Sequence, residues 1–133
     1  MYYRFSCLVF LLLCSLGSCL TAFGQSKLYY IDNAFDKIHR ANLDGTGVED
    51  LITTGLDSPS GIALDIAAGK MYWTENIADK IRRANLDGTV VEDLVTTGLS
   101  IPSGIALDIA DGKMYWTDPG TDKIQRADLD GSN

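Results

Sequence analysis

The chain has 133 residues, 46% of them hydrophobic, with 18 acids against 11 Lys and Arg and a net charge of −7. That length holds one small domain, and so acidic a chain repels phosphate backbones, which argues against nucleic acid and leaves basic proteins, cationic ligands or divalent ions open. All three cysteines, Cys7, Cys14 and Cys19, precede residue 20, so the body of the chain has neither a disulfide framework nor a Cys-based zinc site.

Met1 to Gly24 reads as an export signal. Arg4 supplies a cationic start, an apolar run extends from Phe5 through Leu20, and Ala22 and Gly24 are small residues at cleavage-site spacing. The run is short for a transmembrane helix of about 20 residues. A secreted or extracytoplasmic location follows. An alternative stays open: Leu16, Gly17, Ser18 and Cys19 resemble a lipobox, in which Cys19 becomes a lipidated envelope anchor.

From Lys27 onward the chain repeats with a period of 43 residues. Copies 27–69 and 70–112 agree at 31 of 43 aligned positions, and an incomplete third copy occupies 113–133. Within the middle copy, strand-like runs at Gly61–Asp65, Lys70–Thr74, Lys80–Leu86 and Val90–Val95 are separated by Ala68-Gly69, Asn76–Asp79 and Asp87-Gly88-Thr89. Asp-Gly between two strands marks a tight hairpin. Ile62–Leu64 and Met71–Trp73 are continuous apolar runs, as in strands covered on both faces. Four-stranded antiparallel sheets of about 43 residues stack as the blades of a β-propeller, so the fold class is all-β.

Tyr72, Trp73, Thr74, Glu75 and Tyr115, Trp116, Thr117, Asp118 are each followed by an Ile-x-Arg-Ala-x-Leu-Asp-Gly segment, and Pro-Ser-Gly-Ile-Ala-Leu-Asp segments recur at 59–65 and 102–108. In this the sequence resembles the YWTD repeats of the low-density lipoprotein receptor class B family. The first copy is looser, with Tyr29, Tyr30 and Asp32 and with Ile31 in place of Thr. The resemblance implies blades of a six-bladed ring. Mapping the runs onto such blades gives ten strands, about two and a half blades. It also implies a non-enzymatic extracellular protein-interaction module that binds a protein ligand or a neighbouring domain, and two and a half blades of six leave open a fragment of a longer protein.

The aromatic residues are expected to fill the wedge between blades. Arg40, Arg83 and Arg126 recur beside a variable neighbour, His39, Arg82 or Gln125. This pattern predicts that the fixed Arg pairs with Glu75 or Asp118 and that the variable residue, His39 included, lies in water. With a single His and no Cys beyond residue 19, a zinc site has no ligand set, and a Ser-His-Asp arrangement would rest on His39 alone. The Asn/Asp-Leu-Asp-Gly turns have oxygens at calcium-loop spacing but lack the closing Glu, so a hairpin is the expected role and calcium the lesser one. Asp65 and Asp108, at inner-strand ends, are the metal candidates for a second reading, a propeller lactonase or hydrolase with a central divalent ion. No other cofactor is indicated.

The copies differ most around Phe35, Asn76, Ile77, Pro119 and Thr121, in the turn between the second and third strands, and at Asp57, Ser58, Ser100 and Ile101 in the connections between blades. In an up-and-down blade these loops share one face, a candidate partner surface. Terminal blades without caps also predict self-association, with Ile105, Leu107 and Trp116 facing water in a lone monomer.

Overall fold

The computed structural model describes residues 26–132. The expected leader at Met1–Gly24, with the lipobox at Cys19, lies outside the described residues. Ten strands follow in chain order: β1 (Lys27–Asp32), β2 (Lys37–Asn42), β3 (Glu49–Ile52), β4 (Pro59–Asp65), β5 (Lys70–Glu75), β6 (Lys80–Asn85), β7 (Glu92–Val95), β8 (Ile105–Asp108), β9 (Lys113–Asp118) and β10 (Lys123–Asp128). They form antiparallel sheets β1-β2-β3, β4-β5-β6-β7 and β8-β9-β10. The strand count and order match the repeat pattern, and a single 3-10 turn at Pro119–Thr121 is the sole helical feature among the described residues.

Boundaries shift from the sequence expectation where backbone conformation intervenes. Val90 has φ 53°, a left-handed turn conformation, so β7 begins at Glu92 instead of Val90. At the other end, β4 starts early at Pro59, paired with Glu75, and a register shift precedes Ile62. Inside that bulge the Thr74 hydroxyl accepts the Gly61 N–H at 2.9 Å, replacing the lost ladder bond.

Each sheet has two unlike faces, and two apolar clusters fill the spaces between sheets. In the first, Met71, Trp73 and Ala84 of the middle sheet pack on Ile38 and Ile52 of the first, flanked by Tyr29 and Ile31. In the second, Met114, Trp116 and Ala127 of the third sheet pack on Tyr72 and Ile81 of the middle one. Alternation along β5 therefore sends Met71 and Trp73 toward the preceding sheet and Tyr72 toward the following one. Trp73, Met71 and Ile81 are fully buried. Trp116 is buried and Ile105 and Leu107 are half-buried in the second cluster, so these three do not face water as the uncapped-blade argument predicts. The exposed face of the third sheet is the opposite one.

Close backbone approach supplements the side-chain wedge. A Cβ on Gly88 would lie 2.5 Å from the Leu51 carbonyl oxygen, and one on Gly131 would lie 2.4 Å from that of Leu94. The Asp-Gly hairpin tips of the second and third sheets thus rest on the outer strand of the sheet before them. Gly45, the same residue of the first copy, has a similar φ of 82° and nothing within 4 Å. Gly45→Ala is expected to cost about 1 kcal/mol, the conformational penalty alone. Gly88→Ala adds the clash and is expected to cost roughly 2–3 kcal/mol. Urea unfolding of the two variants checks this, and equal losses would show that the hairpin tip does not bear on β3.

Candidate functional site

The antiparallel register settles which groups meet around the aromatic motif. Trp73 lies directly across from Arg82 and Tyr72 across from Arg83. Residues opposite one another share a face, so the variable position lies on the buried tryptophan face and the recurring Arg on the tyrosine face. The Arg82 guanidinium carbon sits 5.8 Å from the Trp73 ring centre, and that of Arg83 sits 5.9 Å from Tyr72.

This arrangement corrects the expected pairing. Glu75, fully buried, accepts the Trp73 indole N–H at 3.0 Å and an Arg82 N–H at 3.2 Å. Arg82 also donates to the Gly55 carbonyl at 2.6 Å and meets Asp93 at 2.7 Å. In the third sheet Gln125 takes the same role, donating to Asp118 at 2.7 Å and to the Gly98 carbonyl at 3.1 Å. His39, expected in water, is buried; it stacks on Tyr30 with ring centres 5.0 Å apart, and its Nδ1 is 2.9 Å from Asp50. The variable residue, buried as His39 and half-buried as Arg82 and Gln125, is therefore a bracket on the tryptophan face.

The recurring Arg serves elsewhere. Arg83 holds Glu92 at 2.6 Å and donates to the Leu129 carbonyl of the next sheet at 3.1 Å. Arg40 holds Glu49 at 2.5 Å and donates to the Leu86 carbonyl at 3.3 Å, beside the Tyr29 hydroxyl at 3.2 Å. Arg126 is exposed, and its side chain makes no hydrogen bond or ion pair among the described residues. The sequence signal for these partners was Glu49 and Glu92 at the same place in two copies, overshadowed by the motif acids.

Asp65 and Asp108 are each committed to their own turn: Asp65 accepts the Ala68 N–H at 2.9 Å, and Asp108 that of Asp111 at 3.1 Å. Among the described residues, no three His, Cys, Asp or Glu side chains come together as a metal-binding group. In the Asp-Gly hairpins, Asp44 and Asp87 accept from the backbone and hydroxyl of Thr46 and Thr89, closing the turn locally.

Hydrogen bonds link the candidate partner loops to one another. The Asp36 carboxylate accepts the Ser58 N–H at 3.0 Å and Asp79 that of Ile101 at 2.8 Å, both from left-handed turn positions. The Asn76 N–H donates to the Ser58 carbonyl at 2.9 Å and Gly120 to that of Ser100 at 2.8 Å. Thr121 accepts from Gln125 at 3.3 Å, while Pro119 opens the 3-10 turn. On this tied-down backbone, Phe35 is 73% exposed, Ile77 71% and Ile101 51%.

The model of the low-density lipoprotein receptor repeat class B matches residues 69–109 and 112–133. The matched residues are YWTD repeats of that family. Low-density lipoprotein receptor-related protein 4 of human is 44% identical over 41 residues, covering 31% of the chain and 2% of that protein. A solved structure of a nidogen–laminin complex contains a chain with a TM-score of 0.77 and 39% identity, over 82% of this chain and 42% of that one. Virginiamycin B lyase from Staphylococcus aureus, at 20% identity and a TM-score of 0.60 over 79% of this chain and 38% of its own, shares the fold alone. The chain thus spans about two-fifths of these structures and a small fraction of the receptor-related protein.

Two outcomes test this bracket. Arg82→Ala leaves the buried Glu75 without its cation and is expected to cost about 2–3 kcal/mol, less than the roughly 3–5 of a fully buried pair because Arg82 keeps some water contact. Arg82→Gln, which restores the third copy's amide, should recover most of that loss in thermal melts. Separately, hydrogen bonds from Arg83, Arg40 and Lys80 hold Glu92, Glu49 and Asp93 below the usual carboxylate range. The stability they contribute is present above the unfolded value near pH 4 and is lost as pH falls through the depressed folded values. The melting temperature should therefore be level above about pH 5 and decline below about pH 4, with a smaller decline in Glu92→Gln.

Proposed function

We propose that the chain is a non-enzymatic, extracellular protein-interaction module that contacts its partner through the face bearing the 33–36, 76–79 and 119–122 turns. The observation that carries this reading is the combination on that face of a hydrogen-bonded backbone with protruding Phe35, Ile77 and Ile101. Ordering entropy has been met in the fold, so large apolar side chains are presented at little further cost on binding. The likeness to a chain of a nidogen–laminin complex supports a protein partner, and the export-signal pattern of Met1–Gly24 supports an extracellular one. No nucleic-acid partner suits the acidic surface.

The lactonase or hydrolase reading draws no comparable support, since Asp65 and Asp108 are spent on turns and the likeness to lyases is one of fold. A panel of immobilised extracellular matrix glycoproteins that includes laminin tests the interaction reading. The full chain should bind at least one saturably. Phe35→Ser with Ile77→Ser should weaken binding about tenfold or more, with an unchanged melting temperature. Binding that ignores both substitutions would remove this face from the contact.

A further inference from the structure

Four Asp-Gly pairs stand in the chain, at 44–45, 87–88, 111–112 and 130–131, and the fold treats the third unlike the others. In the hairpin turns that follow β2, β6 and β10 the carboxylate is held twice. Asp44 and Asp87 accept from the backbone N–H and hydroxyl of Thr46 and Thr89, and Asp130 from those of Ser132, at 2.6 to 3.0 Å. The glycine N–H is engaged as well, donating at 2.9 Å to the carbonyl of Asn42, Asn85 or Asp128. In the turn between β8 and β9, Asp111 is exposed and its carboxylate accepts no hydrogen bond among the described residues. The Gly112 N–H reaches the Ile109 carbonyl only at 3.4 Å, beyond the usual bond length, and a Cβ on Gly112 would meet nothing within 4 Å.

An aspartate that precedes glycine can close on its own backbone, because glycine has no side chain to hinder the approach of its amide nitrogen to the carboxyl carbon. The nitrogen bonds to Cγ, and the protonated carboxyl loses its hydroxyl with the amide hydrogen as water, leaving a five-membered succinimide. Water then adds to one of the two ring carbonyls. Opening at Cγ restores aspartate, whereas opening at the main-chain carbonyl leaves isoaspartate, with the backbone routed through Cβ and Cγ. One water leaves and one returns, without oxidation or reduction. The attack needs a free amide nitrogen and a protonated carboxyl. At the hairpin tips both are withheld, since the N–H is bonded and the Thr and Ser donors hold Asp44, Asp87 and Asp130 below the usual carboxylate range. We propose that Asp111-Gly112 is a site of spontaneous isoaspartate formation in the folded chain, and that the product loosens β8 from β9. One carbon enters the main chain of a turn whose ends are set by the Asp108–Lys113 pair and by the Leu129 N–H on the Gly112 carbonyl at 3.0 Å. Met114 and Trp116 follow on β9, so the displacement is felt in the second apolar cluster. This turn lies at the opposite end of β9 from the 119–122 turn, and the inference does not rest on the partner face.

The second sheet supplies the control. It has Ala68 before Gly69 in the same turn, and Asp65 accepts the Ala68 N–H as Asp108 accepts that of Asp111. The full 133-residue chain, warmed at neutral pH for several weeks, is read by isoaspartyl methyltransferase labelling and by peptide mapping with electron-transfer fragmentation, which separates the isomers. Isoaspartate at Asp111 should exceed that at Asp44 and at Asp87 about tenfold. In urea, where the turns are gone, the three sites should draw level. Asp111→Ala should remove most of the label and leave the melt of fresh protein unchanged; aged unaltered chain should melt below fresh chain, and aged Asp111→Ala should not. Equal labelling of Asp44, Asp87 and Asp111 in the folded chain would overturn the assignment of the site, as would an excess at Asp111 that persists in urea. An aged, labelled chain that melts as the fresh one does would overturn the loosening of β8.

Discussion

Everything in this chain depends on one sheet's Met and Trp entering the Tyr and Ile face of the sheet before it. A single three- or four-stranded sheet of this size has two apolar faces and no means of covering either alone. Met71 and Trp73 disappear completely because Ile38 and Ile52 lie opposite, and Ile81 disappears because Met114 and Trp116 do. The hydrogen bonds that cross between sheets are few by comparison. Their acceptors are mostly backbone carbonyls of Leu86, Leu129 and Ser103, so they fix spacing and register while the apolar wedge supplies the attraction.

The wedge also explains why the glycines of the Asp-Gly turns matter beyond turn geometry. Sheets that interlock through large side chains on their inner strands must approach closely at the outer hairpin. Gly88 and Gly131 pass within contact of the neighbouring backbone, while Gly45 has no neighbour to meet. Identical residues in three copies therefore carry unequal loads, set by whether a sheet stands in front of them.

The strand number, the order within each sheet and the packing role of Tyr72, Trp73, Tyr115 and Trp116 were legible in the sequence, because a 43-residue period and hairpin dipeptides are local signals. The polar bracket was not. Repetition suggested that an invariant Arg is fixed and its variable neighbour solvated. Across-strand register decides otherwise, placing His39, Arg82 and Gln125 opposite Tyr30, Trp73 and Trp116 on the buried face. Variation there is compensated, since Arg82 faces Glu75 while Gln125 faces Asp118. Compensation between non-adjacent residues is invisible to a position-by-position comparison of copies. The fate of Asp65 and Asp108 was hidden for a related reason: carboxylates at strand ends look alike whether they face a channel or cap a turn, and only the N–H groups of Ala68 and Asp111 distinguish the two.

The exchange of Glu75 for Asp118 shortens a buried acid by one methylene, and the shorter side chain reaches the Ser100 N–H instead of an indole. Trp73 consequently gives its indole N–H to a carboxylate, while that of Trp116 is buried without a partner. The two tryptophans are chemically unlike optical centres, one at each boundary between sheets. Their emission and indole exchange rates report separately on the opening of the first boundary and of the second, a pair of built-in probes in a chain with no other tryptophan.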